Sequence, residues 1–201
     1  MVRKRRSFQR PPGKRRYRKL FVVAVEGKKT EPQYFALFQG QGSLVHVKCL
    51  PGGDRSSPPQ VLKRLEVQLK KEAWVDFDEA WLVVDRDQWT EDQLMQLHAW
   101  EKKSKKHGFA LSNPSFEFWI LLHFEDGKGI TSSRECVARL KKFLPAYDKG
   151  IDPKKIQRKQ INAAIRRARR LDRPSCKDWP RTPGKTTVYR LVERILETGN
   201  P

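Results

Sequence analysis

The sequence predicts an α/β fold: a parallel sheet flanked by helices, followed by a mostly helical C-terminal part and preceded by a disordered basic arm. Three observations carry this. Leu20–Val25 is an unbroken apolar, β-rich run of the kind that forms a strand buried on both faces. Similar runs alternate with segments whose apolar residues recur at helical spacing, the order that builds parallel sheets. The first 20 residues carry ten Lys or Arg and no acid, interrupted by Pro11, Pro12 and Gly13, so their charges repel and they have little to bury.

Taken in order, the first strand ends at Glu26-Gly27. Pro32 suits a first helical turn, with Thr30 or Glu31 near the cap, leading into Tyr34–Phe38. Leu44–Leu50 alternates and reads as a second strand, and residues 51–59, rich in Gly, Ser and Pro, read as a loop. Val61, Leu62, Leu65 and Leu69 mark a helix. Ala80–Val84 is a third strand, ending at Asp85-Arg86-Asp87. Thr90 caps a helix bearing Leu94, Leu97 and Trp100 that ends at Gly108, and Phe109–Leu111 makes a short fourth strand. Pro114 opens a helix over Phe116–Phe124 whose dense apolar character implies burial. Beyond Gly127 and Gly129, helices are expected over Val137–Leu144, Ile156–Leu171 and Thr186–Leu196. The expected division is a basic arm over 1–19, an α/β core over 20–126 and a helical extension over 127–201 packed on the core.

Composition excludes several classes. Ten Phe, six Trp and four Tyr supply a real core, which rules out a wholly disordered chain. No apolar run approaches the roughly 18–20 residues of a membrane helix, and no apolar segment before residue 20 resembles a secretory signal. Three scattered cysteines without a CxxC pair argue against a disulfide framework or a zinc knuckle and suit a reducing, cytoplasmic setting. Forty-three Lys and Arg against 23 Asp and Glu give a net charge of +20, which favours a polyanionic partner, nucleic acid above all. A solvated basic surface or an anionic membrane patch is the alternative, and no membrane partner is expected. Candidate phosphate contacts in the arm are Arg3, Lys4, Arg5, Arg6, Lys14, Arg15 and Arg16. Candidates in the acid-free block 154–170 are Lys155, Arg158, Lys159, Arg166 and Arg170, on the outer face of an amphipathic helix; a plain solvated face is the other reading.

Strands one and three end in acids. Glu26 follows the first, and Asp85 and Asp87 follow the third, which puts three carboxylates on the carboxyl edge of the sheet where α/β sites form. Clustered carboxylates raise one another's pKa, and a hard divalent cation, Mg²⁺ or Mn²⁺, relieves the repulsion. Such an ion can activate water and neutralise charge on a phosphodiester. Glu31, five residues after Glu26, could hold a second ion. Lys28 and Lys29 would hold the scissile phosphate or face solvent as turn residues, and Trp89 would stack on a base or merely pack. Asp85 and Asp87 would alternatively cap the next helix or pair with Arg86.

Four ordered motifs resemble those of the RloB-like proteins. They are Glu26-Gly27-Lys28-Lys29-Thr30-Glu31-Pro32 with Tyr34-Phe35; Val83-Val84-Asp85-Arg86-Asp87; Asn113-Pro114-Ser115-Phe116-Glu117-Phe118-Trp119 with Leu121-Leu122-His123-Phe124; and Thr186-Thr187-Val188-Tyr189 with Leu191-Val192-Glu193. The resemblance implies a Toprim-like catalytic domain, the metal-dependent fold of topoisomerases, primases and OLD-type nucleases. It further implies a Mg²⁺- or Mn²⁺-dependent nuclease of bacterial antiphage defence, working beside an AAA-type ATPase. Carried over by position, Glu26 is the first-strand glutamate, Asp85 and Asp87 are the DxD pair, and Glu117 stands in the signature as an outer metal ligand or a helix-N-terminal acid. One departure is that OLD-type nucleases place the second glutamate four residues after the first, whereas Glu31 is five away. His123, after an apolar run, reads as a buried core histidine rather than a base. A non-catalytic nucleic-acid-binding adaptor is the alternative function.

Other motifs fail. Pro183-Gly184-Lys185-Thr186 lacks the earlier glycine of a phosphate loop, since Trp179 stands there, so the chain does not bind ATP by that route. His46, His98, His107 and His123 have no zinc spacing.

Overall fold

The computed structural model describes residues 18–39, 43–53, 57–86 and 89–199. Arg3, Lys4, Arg5, Arg6, Lys14, Arg15 and Arg16 of the arm, and Asp87, lie outside the described residues. Four strands pair in parallel: β1 (Lys19–Val25), β2 (Val45–Leu50), β3 (Glu79–Asp85) and β4 (His107–Asn113). A two-residue β5 (Lys185–Thr186) runs antiparallel to β4, and the sheet order is β2-β1-β3-β4-β5. The helices are α1 (Thr30–Phe35), α2 (Pro58–Leu69), α3 (Glu91–Glu101), α4 (Phe116–Leu121), α5 (Ser133–Phe143), α6 (Arg158–Leu171) and α7 (Val188–Gly199). The architecture is α/β, as the sequence predicts.

The period of two along each strand divides the core. Phe21, Val23 and Val25 of β1, with Trp81 and Val83 of β3, pack with buried residues of α1 and α4 to α7. Val22 and Ala24, with Ala80, Leu82 and Val84, pack with Val61 and Leu65 of α2, Leu94 and Leu97 of α3, and Trp179. Each such Val, Leu or Phe side chain contributes about 1.5–3 kcal/mol by burial, more than the roughly 1 kcal/mol typical of a helix cap. Both faces of β1 and β3 are therefore covered, which explains why these strands read as continuous apolar runs. At the amino edge of the sheet, buried Glu79 accepts from Lys19 Nζ at 2.6 Å, Arg194 Nη2 at 2.5 Å and Trp81 Nε1 at 3.0 Å, tying β1, β3 and α7 together.

Strand order reverses between β1 and β3: the chain leaves β1 toward β2 through α1, and leaves β3 toward β4 through α3 on the other face. A crevice opens at the carboxyl ends of two strands at such a reversal.

Several boundaries differ from the sequence reading. Strand β1 starts at Lys19, one residue before the expected Leu20. Helix α3 stops at Glu101 and not at Gly108, and β4 begins at His107 rather than Phe109. Gly108 marks a close approach: a Cβ there would meet the Trp81 ring at 2.4 Å. The His107 ring stacks on Trp100 at 3.9 Å, and Glu101 Oε1 accepts the Phe109 amide at 3.0 Å, which draws these residues into the strand. Helix α4 ends at Leu121, short of Phe124. Helix α6 starts at Arg158, after a 3-10 turn over Pro153–Lys155. Thr186 lies in β5, where its Oγ1 is 2.9 Å from Ser112 Oγ, and α7 starts only at Val188.

Candidate active site

A cavity of about 600 Å³ opens at the crevice between β1 and β3. Glu26, Gly27, Lys28, Lys29, Thr30 and Glu31 line it from the β1–α1 turn, Asp85 and Trp89 from the end of β3, and Ser115, Phe116 and Glu117 from the start of α4. Gly53, after β2, and Lys149 and Ser133, from the helical C-terminal part, complete it. Register explains the meeting of the first two acids. Val25 pairs with Val83, the Glu26 amide donates to Val83 O at 3.2 Å, and Glu26 Oε2 accepts the Asp85 amide at 3.2 Å. Both Glu26 carboxylate oxygens also accept the Trp89 indole N–H, at 3.1 and 3.2 Å.

The buried Glu31 carboxylate closes the β1–α1 turn, its Oε1 accepting the Gly27 amide at 2.8 Å. A Cβ on Gly27 would stand 2.1 Å from Glu31 Oε2, so only glycine lets this carboxylate come so near the backbone. Glu117, in the first turn of α4, accepts the Tyr147 hydroxyl at 2.8 Å and the Lys149 ammonium at 3.3 Å. Tyr147 Oη also lies 3.2 Å from Thr30 Oγ1, so the loop between α5 and α6 binds both walls of the cavity. Lys149 has φ 51°, a left-handed conformation that costs a non-glycine residue about 1 kcal/mol or more and concentrates at functional sites.

The electrostatics are those of crowded acids. Burial, then the charges of Glu31, Glu26 and Glu117, hold the Asp85 carboxyl well above the usual carboxylate range, against the pull of the Phe116 amide. Burial also raises Glu31, with Glu117 adding to it. Glu117 goes the other way: burial pushes it up, but Ser115, Lys149 and Tyr147 outweigh that and leave it below the ordinary value. Lys149 is correspondingly raised by the Glu117 charge.

Seven residues singled out from the sequence thus come together: Glu26, Lys28, Lys29, Glu31, Asp85, Trp89 and Glu117. Lys155, Arg158, Lys159, Arg166 and Arg170 are exposed and line no part of this cavity. Arg167 and Arg169 of the same block are engaged, by Leu122 O at 2.6 Å and Glu193 at 2.5 Å. Trp89 neither simply packs nor stands clear, since it binds Glu26. His123 is a core residue: its Nδ1 faces the Trp119 and Ile120 carbonyls and its Nε2 lies 3.2 Å from Tyr34 Oη. Lys149, Tyr147 and Ser115 were not singled out as site residues by sequence reasoning.

Among the described residues, no three His, Cys, Asp or Glu side chains are gathered closely enough to hold a metal ion. The donor chemistry nevertheless fits a hard divalent cation, because the acids offer only carboxylate oxygens, and the Asp85 carboxyl is raised by burial and then by neighbouring like charges that a cation would offset. No helix among the described residues is long and apolar enough to cross a membrane. The model of the RloB-like protein family matches residues 21–195. No curated protein and no solved structure matches the chain.

Proposed function

The chain belongs to the RloB-like protein family, and on that footing we propose that it is a metal-dependent nuclease whose active site is the cavity at the ends of β1 and β3. The observation that carries this reading is the convergence of Glu26 and Asp85 from adjacent strands, with Glu31, Glu117 and three lysines, in one cavity of a protein with net charge +20. Glu26 and Asp85 would hold Mg²⁺ or Mn²⁺, joined by Asp87 on the strength of its sequence position, with Glu31 and Glu117 nearest at hand for a second ion. When bound, the ion supplies a lowered pKa for water and neutralises charge on the phosphoryl oxygens.

The protein's own groups do the rest. Lys28, Lys29 and Lys149 bind the phosphate and offset its charge, and the buried carboxylates accept a proton from the attacking water. Hydrolysis adds one water across a P–O bond and leaves a phosphate monoester and a hydroxyl. Lys155, Arg158, Lys159, Arg166 and Arg170, with the arm cations, bind the flanking backbone. The antiphage-defence setting and the AAA-type ATPase partner rest on the family resemblance alone, and co-purification with the neighbouring ATPase tests the partnership.

The direct test incubates the full chain with labelled single-stranded DNA, duplex DNA and RNA in Mg²⁺ or Mn²⁺. Cleavage of at least one substrate is expected, lost in Glu26→Gln and in Asp85→Asn. Cleavage that survives in both variants refutes the assignment. A non-catalytic nucleic-acid-binding adaptor is favoured by one observation, the lack of a gathered three-ligand set among the described residues. It predicts nucleic-acid binding without Mn²⁺ binding or cleavage.

A further inference from the structure

Beyond the end of β3, Arg86 and Trp89 bind each other. The Trp89 amide donates to Arg86 O at 3.3 Å, and the Arg86 guanidinium donates back to Trp89 O. Arg86 also pairs with Glu91 at 3.0 Å, and Glu91 in turn with Arg181 at 2.8 Å. Arg181 lies 3.9 Å over the ring of Trp179, a residue buried in the core beneath α3, and binds Asp178 at 2.7 Å. Trp89 is therefore mounted on the second core through a segment some ninety residues away in sequence. What this mount presents to the cavity is one indole N–H, shared between the two oxygens of Glu26.

We propose that Trp89 is a positioning residue that fixes the Glu26 carboxylate for divalent-cation binding. The inference rests on the nuclease reading and adds to it a residue that would touch neither ion nor substrate. Asp85, Glu31 and Glu117 place like charge around the cavity, and repulsion drives an unrestrained Glu26 side chain toward solvent. A carboxylate offers about four acceptor positions, so the indole and the Asp85 amide can hold it in place and a cation can still bind. Donors behind a metal ligand set its orientation, and their loss typically costs about 10- to 100-fold in metal affinity.

The experiment is calorimetric Mn²⁺ titration of the full-length chain as wild type, Trp89→Phe and Trp89→His, with circular dichroism to confirm folding. Phe keeps an aromatic ring without the N–H, and the Mn²⁺ dissociation constant is expected to rise about tenfold. His keeps a ring N–H and is expected to recover most of that loss. The cleavage rate at saturating substrate should fall in step with affinity, with KM for the nucleic acid unchanged. Equal Mn²⁺ affinity in wild type and Trp89→Phe overturns the proposal and leaves the nuclease reading standing. No Mn²⁺ binding by wild type overturns both. A raised KM at unchanged Mn²⁺ affinity assigns Trp89 to base stacking and also overturns the proposal. Should Trp89→Phe fail to fold, ¹⁵N-tryptophan labelling of wild type gives the answer. One of the six indole signals should be broadened by substoichiometric Mn²⁺ ahead of the other five; uniform broadening, or none, contradicts the proposal.

Discussion

Asp85 ends a buried strand with Glu26, Glu31 and Glu117 around it, and burial with those charges raises its carboxyl well above the usual range. The folded state then binds this proton more tightly than the unfolded chain. Stability falls as pH rises through the window between the ordinary value and the raised one, and the cost persists above it. Asp85→Asn removes that cost along with the proposed metal ligand. In chelator-treated protein at pH 7.5 it should raise the thermal midpoint by about 3 °C while abolishing cleavage; a lowered midpoint contradicts the electrostatic account. His123 gives the opposite slope. Burial, against two carbonyls that favour the cation, holds its pKa down to about 4, and a neutral ring donating from Nδ1 and accepting from Tyr34 satisfies every partner. The unfolded chain binds the extra proton between about 4 and the ordinary 6.5, so up to about 3 kcal/mol of stability is lost as pH falls through that window. Urea midpoints measured from pH 7 to pH 4 should fall more steeply for wild type than for His123→Gln, and parallel curves contradict the assignment.

At the scale of elements, the β1–α1 turn is the most constrained part of the site. Gly27→Ala places a methyl where the Glu31 carboxylate now lies. The carboxylate, at the end of its side chain, must move, whereas the strand and helix need not. Cleavage should fall by up to about 100-fold, the cost a displacement near 1 Å can carry, with the thermal midpoint shifted by less than about 4 °C. Unchanged cleavage removes Glu31 from the mechanism. Elements of this kind were legible because buried parallel strands announce themselves as apolar runs, and the residue following each run lies at the carboxyl edge. Glu26 and Asp85 could thus be placed together before any geometry was known. Lys149 and Tyr147 could not. They approach Glu117 from a loop about thirty residues later, and only the packing of α5 and α6 on the sheet, which has no local signature, decides which loop covers the cavity. Strand β5 was hidden for another reason: two residues have no periodicity, and Thr186 joins the sheet through a hydroxyl contact and pairing with β4.

Over the whole molecule, the net charge of +20 is unevenly deployed. Four acids, Glu26, Glu31, Asp85 and Glu117, line the cavity, while Arg158, Lys159, Arg166 and Arg170 stand exposed on α6, away from it. Replacing these four by Ala should weaken nucleic-acid binding and flatten its salt dependence, by about 0.9 in log–log slope for each B-DNA phosphate that is no longer neutralised. Deleting residues 1–17 should act separately and in the same direction, leaving the rate at saturating substrate largely intact. Slopes unchanged by either alteration would mean that these charges are only solvated. The central claim is that the cavity between β1 and β3 is a divalent-cation site. It is tested most directly by crystals of the full-length protein soaked in Mn²⁺ and measured for anomalous scattering. The account predicts a peak within coordination distance of carboxylate oxygens of both Glu26 and Asp85, absent from Asp85→Asn crystals. An empty cavity at millimolar Mn²⁺, or a peak bound only elsewhere, contradicts it.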